Sequence, residues 1–176
     1  MQVAAYCEEN RTNDNVQRNQ KTMLHFSLHP VLPAEYTLAL NTTLGTLSCL
    51  SNSNGQPLLV MQQQFTRSEL SLLLPLLQSF PYYCPYEELF ASFYNSHLSP
   101  LTIARARQQL HNALETGTWE QEMRPLRNVL SRTRLKLNKL AINITSILET
   151  GCILMAMPSS KQSEEAHGQI QVNVTM

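Results

Sequence analysis

Glycine is scarce in this chain, with five among 176 residues, and aspartate is nearly absent, because every acid except Asp14 is a glutamate. The first shortage excludes the glycine-rich loops that cradle phosphates, and neither GxGxxG nor a P-loop occurs. The second removes mechanisms built on a buried aspartate; a Ser-His-Asp arrangement lacks its third member, and no GxSxG is present. The four cysteines, Cys7, Cys49, Cys84 and Cys152, show no CxxC and no metal-ligand spacing, which is the pattern of ordinary reduced thiols. His25 and His29 stand four apart, but in a strand-like stretch beside Pro30 with no further ligands, so no metal is expected. The chain therefore reads as a non-enzyme with no cofactor and no small-molecule substrate.

Long apolar runs are also missing. The best, Ile142 to Met157, is too short to span a bilayer and contains Glu149, and the first residues hold no apolar signal region. The expectation is a cytoplasmic chain without a membrane partner. Four Asn-x-Thr matches, at Asn10, Asn41, Asn143 and Asn173, are what chance supplies in a sequence rich in Asn and Thr.

What is present is a balanced globular composition: 13 bases against 13 acids, 43% apolar and 15% charged residues. Residues 1–22 and 158–176 hold little to bury and are read as disordered tails, leaving one domain over 23–157. Within it, residues 23–64 form an N-terminal sheet, with three or four short antiparallel strands read over Met23 to Met61 from alternations such as Leu24, Phe26, Leu28 and Tyr36, Leu38, Leu40. Residues 65–141 are helical. Thr66 and Glu69 have capping-box spacing ahead of Leu70, Leu73, Leu74 and Leu77, with Pro75 expected to bend or shorten the helix. A second helix follows Pro85, with Leu89, Phe90 and Phe93 as its apolar stripe. A third, near 99–116, starts at Ser99-Pro100, buries Ile103, Ala106, Leu110 and Leu114, and stops at Gly117. A fourth is expected from about Arg124-Pro125 to Leu140, with Leu126, Val129 or Leu130, Thr133 and Leu137 inward. Residues 142–157 then read as a hairpin, Ile142 to Ile147 and Cys152 to Met155, turning at Leu148 to Gly151.

The neutral total hides a segregation. Arg124, Arg127, Arg132, Arg134, Lys136 and Lys139 fall on the fourth helix, and no acid occurs between Glu122 and Glu149. A local positive field of this kind suits a phosphate backbone, whereas the bland reading is a solvated helix face. The order of parts, two helices, a basic helix and a hairpin, is the layout of a winged helix-turn-helix.

Two segments carry a family resemblance. Phe65-Thr-Arg-Ser-Glu69-Leu-Ser-Leu72-Leu73-Leu-Pro-Leu76 resembles the "L-T-x-x-E-F-x-L-L-x-x-L" opening helix of OmpR/PhoB-type DNA-binding domains, and Glu87-Glu88-Leu89 stands where that family has "R-E-E-L". Arg124-Pro-Leu126-Arg-Asn-Val-Leu130-Ser131-Arg132-Thr-Arg134-Leu-Lys136-Leu137 is similar to its recognition-helix pattern "R-T-V-D-V-H-I-S-R-L-R-K-K-L", and Ile144 to Ile153 resembles its wing. The match covers roughly residues 24–156. It implies an α+β winged helix-turn-helix with an N-terminal antiparallel sheet, three to four helices and a C-terminal β-hairpin wing. It also implies a bacterial, sequence-specific DNA-binding transcription regulator with double-stranded DNA as partner; related regulators bind DNA as tandem or symmetric dimers, so a homodimer on DNA is open, and no residue here fixes a dimer surface. Three departures stand out. The helix near 99–116 replaces the loop through which relatives contact RNA polymerase, so that contact does not carry over to these residues, and RNA polymerase or another regulator stays open as a protein partner. Leu148, Glu149 and Cys152 replace the wing's Arg, Gly and Tyr. No receiver domain accompanies the chain as given, so control by aspartyl phosphorylation is not expected.

With the fourth helix in a major groove, Arg127, Asn128 and Ser131 are assigned to base reading. Arg124, Arg132, Arg134 and Lys136 are assigned to phosphates, with the alternative that Arg132 or Arg134 pairs with glutamates inside the domain. Arg105 and Arg107 read as merely exposed. Trp119 reads as a core anchor, and Tyr82, Tyr83 and Tyr86 as packing. The alternative function is a protein-interaction module on a winged-helix scaffold that has lost productive DNA binding, and acids at Glu120 and Glu122 folding across the basic strip would favour it.

Overall fold

Alternating apolar residues in the N-terminal third build a sheet whose inner face is the floor of the core. The computed structural model describes residues 22–52, 55–95 and 98–157, so the two expected tails, together with Cys7 and Asp14 and except for Thr22, whose carbonyl accepts from the Thr42 amide at 2.9 Å, lie outside the described residues. Strands β1 (Met23–Phe26), β2 (Tyr36–Asn41), β3 (Thr46–Ser51) and β4 (Leu58–Gln64) pair antiparallel in the order β1-β2-β3-β4. The fourth strand ends at Gln64, the expected limit of the N-terminal sheet, three residues after the apolar alternation stops at Met61. Leu38, Leu40, Leu47 and Cys49 face inward and are buried.

Helix α1 (Arg67–Gln78) begins where the capping box requires: Thr66 Oγ1 accepts from the Glu69 amide at 3.3 Å, and the Thr66 amide donates to Glu69 Oε2 at 2.7 Å. Leu70, Leu72, Leu73, Leu76 and Leu77 are buried, whereas Leu74, expected on the core face, is only partly so. Pro75 does not shorten the helix. A proline amide is missing there, so the Ser71 carbonyl one turn back has no intrahelical donor. The Ser92 hydroxyl of the next helix supplies one at 2.6 Å.

A short strand β5 (Tyr83–Pro85), which the sequence reading did not anticipate, leads directly into α2 (Tyr86–Tyr94). Pro85 is thus the N-cap of α2, as expected of a helix that follows it. Helix α3 (Pro100–Glu115) has its own capping box between Ser99 and Thr102. Ala106, Leu110 and Ala113 are buried on it, and Leu114, expected inside, is 44% exposed, because Ala113 occupies the inward position of the last turn.

Helix α4 (Trp119–Asn138) starts five residues before Arg124. The turn at Gly117, φ +69°, redirects the chain, and the Thr118 carbonyl accepts from the Gln121 and Glu122 amides, so nucleation precedes the proline. Pro125 then sits inside the second turn of an already formed helix. Trp119, Met123, Leu126, Val129, Leu130, Thr133 and Leu137 are buried along one face. Trp119 packs edge-on to Tyr86, with ring centroids 6.0 Å apart.

Strands β6 (Ile142–Ile147) and β7 (Gly151–Ala156) form the C-terminal hairpin, one residue longer at each end of the second strand than expected. β5 adds to it, giving a three-stranded sheet of order β5-β7-β6. Gly151 is required here by space: a Cβ would run into the Cys84 carbonyl oxygen and lie 2.9 Å from the Tyr83 ring. One continuous apolar core joins both sheets and all four helices. The fold is α+β: a four-stranded antiparallel sheet, four helices and a C-terminal hairpin.

Candidate nucleic-acid interface

The face of α4 opposite its buried stripe presents Arg124, Asn128, Ser131, Arg132, Leu135 and Lys139, all exposed. Their steps of three and four keep them on one side of a helix that is about 30 Å long at 1.5 Å per residue. Between Arg124 and Lys139 this face carries no carboxylate, and Glu120, exposed one turn before Arg124, stands at its N-terminal end. The hairpin follows within a few residues of the helix end, and Ala141, at φ 59°, makes the sharp change of direction.

Of the seven residues assigned to nucleic acid, Arg124, Asn128, Ser131 and Arg132 are therefore brought together on one open surface. The other three have partners within the chain. Arg127 is ion-paired with Glu120 two turns earlier on the same helix, both side chains remaining substantially exposed. Arg134 is half-buried, and its Nε donates to the Ile144 carbonyl at 2.7 Å, pinning the helix to β6.

Lys136 has a partner across the fold: its Nζ lies 2.6 Å from Glu69 Oε2 and 5.3 Å from the centre of the Phe65 ring, so its ammonium joins α4 to the start of α1. Glu69 is buried. Burial pushes its carboxyl up, but hydrogen bonds from Lys136 and the Thr66 amide, with the charge of Lys136, outweigh this and hold it below its ordinary value. The alternative partners foreseen for Arg132 and Arg134, internal glutamates, are not what the structure shows for either: Arg132 faces outward and Arg134 meets a carbonyl.

Between α4 and the hairpin lies a cleft of about 330 Å³ lined by Tyr86, Arg127, Ser131, Arg134, Ser146 and Glu149. Glu149 occupies the tip of the hairpin with φ 55°, a left-handed conformation that favours glycine. It brings a carboxylate to the edge of the basic surface, and Leu148 beside it is 84% exposed. Glu120 brings another. The acid at Glu122 turns instead toward α3, where Gln109 donates to it at 2.9 Å.

The remaining sequence candidates have quieter places. Arg107 pairs with Glu87 at 3.1 Å on the surface, and Arg105 is exposed. The Tyr82 hydroxyl donates to the Ser27 carbonyl at 3.0 Å and the Tyr83 hydroxyl to Thr150 at 3.1 Å, so this aromatic group holds the second sheet to its neighbours. Among the described residues no group of three or more His, Cys, Asp or Glu side chains is placed to hold a metal. Likewise no described helix is long and apolar enough to cross a membrane.

The sequence reading missed the Lys136–Glu69 pair, whose members are 67 residues apart and share no local pattern. The Glu120–Arg127 pair was legible in principle, since seven residues are two helical turns. No protein-family model, curated protein or solved structure matches the chain.

Proposed function

We propose that the chain is a sequence-specific DNA-binding transcriptional regulator of winged helix-turn-helix type, which lays the outer stripe of α4 in the major groove. The observation that carries this reading is the exposed run Arg124, Asn128, Ser131, Arg132 and Lys139, with no acid between its ends, on a long helix whose opposite face is buried in the core. Rigid backing and a basic outer face are what groove insertion needs. The element order and the resemblance of 65–76 and 124–137 to OmpR/PhoB-type domains support it.

In this reading Asn128 and Ser131 read base edges, an amide suiting adenine, and the exposed Leu135 meets a thymine methyl. Arg124 and Arg132 hold phosphates, joined by the terminal nitrogens of Arg134. Arg127 reads a base when DNA draws it away from Glu120. The hairpin carries Glu149 and no base between Ile142 and Ala156, so it contributes little to phosphate binding.

A second reading, a protein-interaction module on the same scaffold, is favoured by the Glu120–Arg127 pair and by the exposed apolar residues Leu148 and Met155 on the hairpin. Binding of the full chain to a pool of random duplexes over a salt series separates the two, with an Arg124→Ala/Arg132→Ala variant alongside. DNA reading requires enrichment of a shared motif and a log affinity that falls steeply with log salt, less steeply in the variant. Equal, weak binding by both proteins at low salt removes it in favour of the interaction module.

A further inference from the structure

The four-stranded sheet ends on β4, whose outer edge is unpaired among the described residues. Folded proteins shield such edges with a charged side chain, an internal proline, a β-bulge or a covering element, because a free row of amides and carbonyls recruits another strand. β4, Leu-Leu-Val-Met-Gln-Gln-Gln, has neither charge nor proline. The charge-free stretch is in fact longer, running from Tyr36 to Thr66. Leu58, Leu59, Val60 and Met61 are 54%, 59%, 52% and 37% exposed. Leu58 and Met61 stand opposite Ser51 and Cys49 on one side of the sheet and Leu59 opposite Leu50 on the other, with Val60 bulged between them, so a helix laid on one face covers only part of them. A strand added beside β4 reaches both. The one shielding device on β4 is a bulge at Val60, opposite Cys49 and Leu50; it twists the edge locally and leaves Met61 to Gln64 in regular register with β3. The opposite edge is different: β1 has four residues, alternates exposed with half-buried positions and carries His25.

We infer that β4 is a self-association edge, through which two copies of the chain pair antiparallel about a twofold axis to make one eight-stranded sheet. This goes beyond DNA reading and does not depend on it. The unsatisfied backbone row selects an extended strand as occupant. The absence of charge from Tyr36 to Thr66 offers nothing to attract a charged peptide, yet lets two identical edges meet without like-charge repulsion. A twofold axis makes the edge its own complement, and the zero net charge of the chain leaves no long-range barrier to self-association. The seven-residue strand is about 24 Å long at ~3.4 Å per residue, a small interface, so the dimer is concentration-dependent.

Sedimentation velocity on the full chain, from low to high micromolar, tests this without DNA. The expected result is a mass that moves from 20.0 kDa toward twice that value. A Leu59→Lys/Val60→Lys variant is expected to stay monomeric throughout, and a Met23→Lys control on β1 to dimerise as the wild type does. Circular dichroism and thermal unfolding confirm that the substituted chains are folded. Hydrogen exchange at two concentrations assigns the edge: amides of Leu58–Gln64 slow as concentration rises, and those of β1 do not. A wild type that is monomeric over the whole range overturns the inference, as does a dimer that survives in the Leu59/Val60 variant or forms without slowing exchange in β4.

Discussion

The Lys136 ammonium lies 2.6 Å from the Glu69 carboxylate, and this contact ties the last turns of the basic helix to the first turn of α1. Glu69 thereby serves twice, as the third helical residue of a capping box and as the counter-ion of a lysine from the far end of the fold. A basic side chain that a charge count adds to the positive surface belongs instead to the framework that holds the exposed stripe of α4 in place.

Removal of Lys136 leaves a buried carboxylate without its cation. Lys136→Met is expected to cost about 2–4 kcal/mol, less than a fully buried pair because the lysine is part-exposed, and Glu69→Gln is expected to cost less because glutamine keeps the cap. The pH dependence carries the diagnosis. Folding lowers the proton affinity of Glu69, so its stabilisation is complete above the ordinary carboxyl value of 4.5 and is lost as pH falls through the lower folded value. In Lys136→Met burial dominates, the folded value rises, and the acid-side loss should flatten or reverse. Urea unfolding at about pH 7 and pH 4 measures both effects; a variant that keeps the wild-type pH dependence would refute the assignment.

Glu120 withholds Arg127 from the open face. Under the DNA reading, Glu120→Gln frees the guanidinium and removes a carboxylate from beside the phosphates, so affinity for an enriched duplex should rise by about three- to tenfold at low salt, with a steeper salt slope. Weaker or unchanged binding in this variant would mean that Arg127 has no part in the interface. The same substitution should leave thermal stability nearly unchanged, since the pair is exposed.

The Ser92 hydroxyl replaces the amide that Pro75 lacks. Ser92→Ala should destabilise by about 1–2 kcal/mol, because the Ser71 carbonyl loses its donor in a partly buried site. In a Pro75→Ala background, where an amide is restored one turn on, the same change should cost markedly less. A double-mutant cycle by denaturant unfolding reads the difference, and strict additivity would exclude the coupling.

Cys84 and Cys152 face each other across β5 and β7, both fully buried. Burial pushes the Cys84 thiol far above its ordinary value, reinforced by the Glu88 carboxylate 3.7 Å away, and burial raises Cys152 as well. Alkylation of these two sites in the folded chain should be more than about tenfold slower than in urea and should keep rising with pH beyond ~8.5. Peptide mass spectrometry after timed iodoacetamide treatment follows each site separately. Rapid modification near neutral pH would show that this sheet opens readily.

Much of the fold was legible because its signals are local. Thr66 and Glu69 announce a helix start through a bond three residues long, Ser99-Pro100 does the same, and the inward set Leu126, Leu130, Thr133 and Leu137 follows from a period of 3.6 residues. The start of α4 was misplaced at Arg124 because a proline usually marks a first turn, whereas here the turn at Gly117 and Thr118 nucleates the helix earlier. β5 was missed because three residues carry no periodicity and are held extended only by β7, which lies more than sixty residues away.

The sequence by itself determined the α+β element order, the capping of α1 and α3, and the concentration of basic residues on one helix, all of which depend on neighbours a few positions apart. Only the tertiary structure decided which of those bases are free. Arg124 and Arg132 face outward, Arg134 binds the Ile144 carbonyl and Lys136 binds Glu69. The physical reason is that a helix offers positions on all sides with equal ease, while the elements packed against it, here α1 and the hairpin, determine whether a cation there meets water or a buried acceptor.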